Sequence, residues 1–296
     1  MPEGQAHFHR VFNRNGLAMI RNFQGRHQDA IKLCQDGIAY LDQHLSVEKH
    51  RLHRSVLVYN IAQVYRGVGS HAEAIKYYSS VIEMDPNYSE YYNERGSIFL
   101  QLNRLKEALA DYLKAIELSP PYFEAFTNLG QCYRKIGSMH EAVQAYAKAL
   151  DLEPDHVLAL LGRGNALQEL GQAEQAKADY SAALARDANL WDALASRAVI
   201  HYETGDLAAS LSDFNRAIEL KQDDATLLQN RATVLFDLKQ YHEAVRDLEN
   251  ALKLDITEPD QNEIQARIKD ILQVISDANS SGSLPEVHEP AQRQTA

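Results

Sequence analysis

Residues 123–156 read FEAFTNLGQCYRKIGSMHEAVQAYAKALDLEPDH, and this stretch returns with small changes along most of the 296-residue chain. Stepping 34 residues at a time from Gly130 lands on Ala62, Gly96, Gly164, Ala198 and Ala232, all small, with no insertion between them. A second column, through Ala142, holds Ala74, Ala108, Ala176, Ser210 and Ala244, and a third, through Ala149, holds Val81, Ala115, Ala183, Ala217 and Ala251. The first two columns lie 12 residues apart. That spacing suits two helices of about three turns each, crossing where small side chains let the backbones approach. Between them a turn position holds Gly69, Gly137, Gly171 and Gly205, with Asn103 and Lys239 in the other two units. Glycine and asparagine accept the left-handed backbone that ends a helix.

Large residues recur as regularly. Tyr65, Phe99, Tyr133 and Leu167 fall on the first helix of a unit, and Tyr78, Tyr112, Tyr146, Tyr180 and Phe214 on the second. They read as interlocking core. Within one unit, Gly130, Tyr133, Ala142, Tyr146, Ala149 and Pro154 stand in a spacing that resembles the tetratricopeptide repeat, a helix-turn-helix unit of 34 residues. The resemblance covers about nine-tenths of the chain when a degenerate first repeat and a closing helix are included. It implies an all-α fold, a right-handed α-solenoid of helix-turn-helix repeats ending in a C-terminal capping helix.

The expected organisation follows. Residues 1–10 read as a flexible leader and 11–54 as a divergent first repeat, with Ala18 and Ala30 in the small columns and Gly25 at the turn. Ala18 and Ala62 are 44 residues apart, ten more than the period, so LDQHLSVEKHRLHR either extends the second helix or forms a loop. Six regular repeats occupy 55–258. Pro86, Pro120 and Pro154 stop second helices, Asn87, Asp155, Asn189, Asp223 and Thr257 are placed to cap the next helix, and Pro121 stiffens the joint after Pro120. Residues 259–276 carry Ile264, Ile268, Ile271, Leu272 and Ile275 at helical spacing and read as the capping helix. Residues 277–296 have the composition of a disordered tail.

Composition narrows the function classes. No apolar run approaches the roughly 20 residues of a membrane span. The N-terminus lacks the apolar core of a secretory signal, so a cytoplasmic location is expected. Cys34 and Cys132 read as buried thiols, not as a disulfide framework. The net charge is -11, and it is uneven: residues 1–135 hold 16 Lys and Arg against 14 Asp and Glu, and residues 136–296 hold 14 against 27. The two ends thus suit weak head-to-tail self-association. A chain so poor in dense Lys and Arg is a poor match for nucleic acid, which makes an RNA-binding helical repeat the least favoured reading.

Twelve histidines invite a metal reading, but His50 and His53 find no cysteine or carboxylate to complete a set with the right spacing, and His201 takes a core column. No phosphate-cradling loop or catalytic set stands out, so no cofactor, metal or enzymatic activity is expected.

The resemblance places the ligand face on the first helices, at positions counted from the small anchor. These are Tyr59, Asn60, Gln63 and Arg66, then Asn93, then Thr127, Asn128, Gln131, Arg134 and Lys135, then Asn165, Tyr202, Asn230 and Phe236. Asn60, Asn128 and Asn230 suit the backbone of an extended peptide, because an amide both donates and accepts hydrogen bonds. Tyr59, Tyr202 and Phe236 suit aromatic anchors, and Arg66, Arg134 and Lys135 suit an acidic portion of the ligand. Chaperone-binding members of the family use a clamp of Lys and Asn. Here Tyr59, Asn93, Thr127, Leu161 and Ala195 fill the place of the first clamp lysine, which argues against heat-shock chaperone tails as ligands. The expected function is a non-enzymatic adaptor that binds a partner's peptide along a concave groove. The alternative is an accessory subunit that recruits substrate to a separate modifying enzyme.

Overall fold

The protein, seen as a computed structural model that describes residues 3–118 and 122–281, is all α-helical over those residues. The helices run α1 (Glu3–Phe23), α2 (His27–His44), α3 (Val47–Gly67), α4 (His71–Met84), α5 (Ser89–Gln101), α6 (Leu105–Leu118), α7 (Phe123–Ile136) and α8 (Met139–Leu152). They continue as α9 (Val157–Glu169), α10 (Ala173–Arg186), α11 (Trp191–Glu203), α12 (Leu207–Leu220), α13 (Ala225–Asp237), α14 (Tyr241–Ala251) and α15 (Glu258–Ser281). Odd-numbered helices are the first helices of their repeats and even-numbered ones the second. The second helices α4, α6, α8, α10 and α12 are each 14 residues long, so the period read from the sequence is also the period of the structure.

The chain divides into two compact units, one ending at Gly171 and the other starting at Gln172. In the first unit every second helix packs both against its own first helix and against the first helix that follows. Consecutive first helices also touch, α1 with α3, α5 with α7 and α7 with α9, so the first helices form a continuous layer. The second unit alternates in the same way from α10 to α15, with α11 against α13.

What holds a repeat together is a ring placed where a side chain is missing. A Cβ built on Gly130 would stand 2.8 Å from the Tyr146 ring, and one built on Gly162 2.3 Å from it. Tyr146 is therefore wedged between the first helices of two successive repeats. Tyr112 stands in the same relation to Gly96, where an added Cβ would come within 3.0 Å. Tyr78, Tyr112, Tyr180 and Phe214 are fully buried, as the aromatic column requires. The small columns meet as expected at Ser210, whose buried hydroxyl donates to the Ala198 carbonyl at 2.8 Å.

Each turn is closed by a residue in left-handed backbone. Gly69, Gly137 and Gly205 have φ of 74°, 90° and 83°, and Asn103 and Lys239 adopt the same conformation at 57° and 61°. The amide after each of them reaches back across the turn, as Ser138 does to the Tyr133 carbonyl at 2.9 Å, which satisfies a carbonyl the helix end would otherwise leave open.

Several boundaries differ from expectation. The helix α1 begins at Glu3, so the expected leader forms its first turns. The ten extra residues of the first repeat form no loop: they lengthen α2 to 18 residues, one turn more than the 14 of α4. They also lengthen α3 to 21 residues at its N-terminal end. Arg51 in that extension donates to the carbonyls of Met84 and Glu83, so the added turns are tied to the end of α4. The capping residues fall one place later than expected: Tyr88, His156 and Leu190 occupy the caps in place of Asn87, Asp155 and Asn189. Asp224, not Asp223, accepts from the amides of Thr226 and Leu227. Thr257 does cap, accepting from the Asp260 amide at 3.4 Å. The closing helix runs from Glu258 to Ser281, so residues 277–281 of the expected tail are its last turn. Pro120, Pro121 and residues 282–296 lie outside the described residues.

Crowding at the wedge gives a direct test. Gly162→Ala forces its methyl group into the Tyr146 ring and is expected to cost about 1–3 kcal/mol by overpacking. Gly67→Ala, where an added Cβ meets nothing, is expected to be neutral or to stabilise by up to about 1 kcal/mol through better helix propensity. Thermal melts of the two variants beside wild type decide it.

Candidate functional site

The face shared by the first helices is built from polar side chains that bond from one helix to the next. In the first unit Asn60 of α3 donates to the Asn15 side chain of α1, and Asn128 of α7 donates to Asn93 of α5 at 3.0 Å. Arg66 of α3 pairs with Glu94 of α5 at 2.7 Å, and Arg134 of α7 with Glu169 of α9 at 3.6 Å. In the second unit the Tyr202 hydroxyl of α11 donates to Asp237 of α13 at 2.7 Å, and Arg267 of α15 donates to the Thr233 hydroxyl of α13 at 2.7 Å. Such bonds use the free hydrogen-bonding capacity of the face to set the spacing of the layer.

The structure places the expected ligand residues in three settings. Asn60, Asn93 and Thr127 are buried, Asn60 and Asn93 in the amide pairs and Thr127 donating back to the Phe123 carbonyl at 2.8 Å. Tyr59 is half-buried in an aromatic cluster, with its ring 5.9 Å from Tyr78 and 5.1 Å from Tyr91, and its hydroxyl accepts from Gln63 at 2.8 Å. Gln131 and Lys135 are exposed, while Asn128, Arg134, Asn165, Tyr202, Asn230 and Phe236 are half-buried. Phe236 stands beside a cleft of about 230 Å³ between α13 and α15, with Ile271 on the floor and Arg267 and Asp270 at the rim.

Electrostatics follow burial. Burial raises the pKa of Glu94 above the usual carboxylate value, partly opposed by Arg66 and reinforced by Glu90 one turn earlier. Burial likewise pushes the Tyr59 phenol up, and the nearby Glu94 and Glu90 carboxylates push it further. Tyr202 is raised first by its hydrogen bond to Asp237 and then by burial. Cys34 is buried, and burial raises its thiol to about 12; Cys132 is buried and raised for the same reason. Among the described residues no three metal-ligating side chains converge, and no helix is long and apolar enough to cross a membrane.

One recurrent set was not anticipated from the sequence. Arg95 grips Asp111 with two hydrogen bonds of 2.8 Å and donates to Ser79 at 2.9 Å. Arg197 does the same to Asp213 at 2.7 and 2.9 Å and to Ser181 at 3.1 Å, and Arg231 to Asp247 at 2.7 Å twice and to Asn215 at 2.8 Å. Each arginine thereby ties a first helix to the second helices on both sides, 16 residues ahead and 16 behind. A guanidinium held at both ends fixes the rotation of its helix, and so decides which side chains reach the face shared by the first helices. The signal was present in the sequence: Arg stands at 95, 163, 197 and 231, and Asp at 111, 179, 213 and 247, while the repeat that has Leu129 has Ala145 opposite.

Five tetratricopeptide repeat models match the chain, at residues 57–88, 96–137, 123–156, 161–225 and 225–254. No curated protein is significantly similar in sequence. Among solved structures, YrrB, described as a TPR protein with an unusual peptide-binding site, is 19% identical with a TM-score of 0.53, the match covering 66% of this chain and 95% of YrrB. A tetratricopeptide repeat protein from Parabacteroides merdae is 18% identical with a TM-score of 0.60, over 88% of this chain and 98% of that one. Pseudomonas aeruginosa pilF is 16% identical with a TM-score of 0.65, over 73% of this chain and 99% of its own. At these identities the likeness is one of fold.

The arginine lattice can be tested by single and paired substitution. Asp213→Ala leaves Arg197 without its carboxylate and is expected to destabilise by about 2–3 kcal/mol. Arg197→Leu combined with Asp213→Ala copies the Leu129 and Ala145 pair found elsewhere in the chain and is expected to restore most of that loss. Denaturant titrations of wild type, single and double variants give the comparison.

Proposed function

The chain belongs to the tetratricopeptide repeat family, and from that premise we propose that it is a non-catalytic protein-interaction scaffold that holds an extended segment of a partner protein against its first-helix layer. What supports this best is the amide pair of Asn93 and Asn128. Asn128 uses one N–H to bond Asn93 and stays half-buried, so a fixed amide has a second N–H and a carbonyl oxygen for the backbone of a ligand. Gln131, one turn on and exposed, offers the same chemistry beside it.

The acidic part of such a ligand belongs at Arg134 and Lys135. Arg66 is held close by Glu94, whereas the contact between Arg134 and Glu169 is long at 3.6 Å and open to competition, and Lys135 is exposed. Tyr59 would add apolar contact in the first unit, through the edge its cluster leaves half-exposed, and Tyr202 and Phe236 would do so on the first helices of the second unit. YrrB carries peptide binding in its description, and the same use of the fold is proposed here.

The test is retention of partners from a native lysate. A variant carrying Gln131→Ala, Arg134→Glu and Lys135→Glu is expected to lose, by about tenfold or more, the proteins that wild type retains. The proposal fails if the variant melts like wild type and retains the same proteins in the same amounts.

A further inference from the structure

The first helix carries a face that every comparable helix in its unit covers and that α1 leaves open. In α3 the positions one before and two after the small anchor are Ile61 and Val64, buried against Ala30, Ile31 and Cys34 of α2. In α7 they are Leu129 and Cys132, buried against Tyr112, Leu105 and Leu109 of α6. A preceding second helix always supplies the cover. In α1 the same two positions are Leu17 and Ile20, with 39% and 55% of their surface exposed where Ile61 and Val64 have 0% and 3%. The residues are as apolar as their counterparts; only the covering helix is missing among the described residues.

The flanks of this face differ in character. At about 100° per residue, Phe12, Gly16 and Phe23 fall to one side of Ile20, and Arg10 and Arg21 to the far side of Leu17. Phe12 and Phe23 are 72% and 97% exposed. A Cβ built on Gly16 meets nothing within 4 Å, so a helix can approach closely there. The charge is of one sign: residues 4–28 hold Arg10, Arg14, Arg21 and Arg26 and no Asp or Glu, in a chain whose net charge is -11. Arg26 is paired with Asp29, but Arg10, Arg14 and Arg21 end on the Tyr40 hydroxyl, the Asp36 carbonyl and the Gln24 amide oxygen, all neutral.

We propose that α1 is a docking site for an acidic amphipathic helix of a partner protein, seated on Leu17 and Ile20 as α2 is seated on Ile61 and Val64. Its apolar stripe covers Leu17, Ile20 and Phe23, and its acidic flank meets Arg10 and Arg21. Two other occupants fit worse. A second copy meeting α1 with its own α1 would bring two acid-free, arginine-rich helices together, and one meeting it head-to-tail would offer α15, whose exposed Asn262, Gln265, Lys269 and Gln273 leave Leu272 as its large apolar contact. Residues 282–296 of this chain offer only Leu284 and Val287 as large aliphatic residues, with Pro285 and Pro290 between and after them to interrupt a helix. The proposal rests on the reading of the chain as a protein-interaction scaffold, but it uses a different face from the one that binds an extended segment.

The probe is a labelled synthetic helix of about 18 residues with leucines on one face and glutamates on the other, titrated by fluorescence anisotropy against the full chain. Wild type is expected to bind it, and Leu17→Ser with Ile20→Ser to weaken binding by about tenfold or more while the chain keeps its cooperative melt with only a small drop in melting temperature, because both side chains are already partly exposed. Arg10→Ser with Arg21→Ser is expected to weaken binding several-fold and to flatten its dependence on salt. The Gln131, Arg134 and Lys135 variant is expected to bind the helix like wild type, which separates this site from the extended-segment face. A lysine version of the helix is expected not to bind. The proposal is overturned if wild type fails to bind the acidic helix, or if the α1 substitutions leave its affinity unchanged. It is also overturned if they abolish instead a dimer seen by mass, or adhesion to anionic vesicles that bind wild type where the acidic helix does not.

Discussion

The structure depends on a ring occupying the space a side chain would take. Tyr146 lies against Gly130 of its own repeat and Gly162 of the next, and a methyl group at either position would collide with it. One aromatic side chain thus closes a helix pair and also joins it to its neighbour. That double use explains why the repeat needs no large central core. Tyr146 is enclosed only when the following first helix arrives, the kind of neighbour contact by which a repeat array gains stability through stacking.

Once the rings have set the distance between helices, polar groups set their rotation. Arg95, Arg197 and Arg231 each span three helices. Where the chain has Leu129 and Ala145 instead, the same place is filled by apolar contact with Tyr112 and Phe99. Two chemistries therefore serve one geometric task. The outer consequence is a first-helix layer whose own polar residues bond across from helix to helix, Asn93 to Asn128 and Tyr202 to Asp237, leaving a fixed pattern of remaining donors and acceptors.

The N-terminal end departs from the regular repeats in both respects. Its extra residues lengthen both α2 and α3 and fasten α3 to α4 through Arg51, while α1 turns Leu17 and Ile20 outward. At the other end α15 buries Ile264, Ile271 and Ile275 against the last repeat and presents Asn262, Gln265, Lys269 and Gln273 to solvent. In the second unit α15 thus presents mostly polar side chains, Leu272 apart, whereas α1 in the first unit presents apolar side chains beside arginines.

The helix-turn-helix repeat was legible in the sequence because its constraints are local and periodic. A turn that needs positive φ selects Gly or Asn at a fixed step, and a ring that needs room selects Gly or Ala 16 residues before it, so Gly137, Gly130 and Tyr146 declare themselves in one dimension. Helix ends were less legible: a leucine, a tyrosine or a histidine stands at caps where polar residues one place earlier looked suitable, because a helix can begin one residue earlier or later at little cost. The proposed ligand face can be laid out from the sequence as a set of columns, but not as a set of available groups. Only the assembled structure decides that Asn60 and Asn93 are spent on neighbouring helices, that Arg66 is held by Glu94, and that Ile20 is bare while Val64 at the same register is covered. Periodicity fixes where a side chain points within its own repeat; whether it is free to act depends on which helix lies beside it.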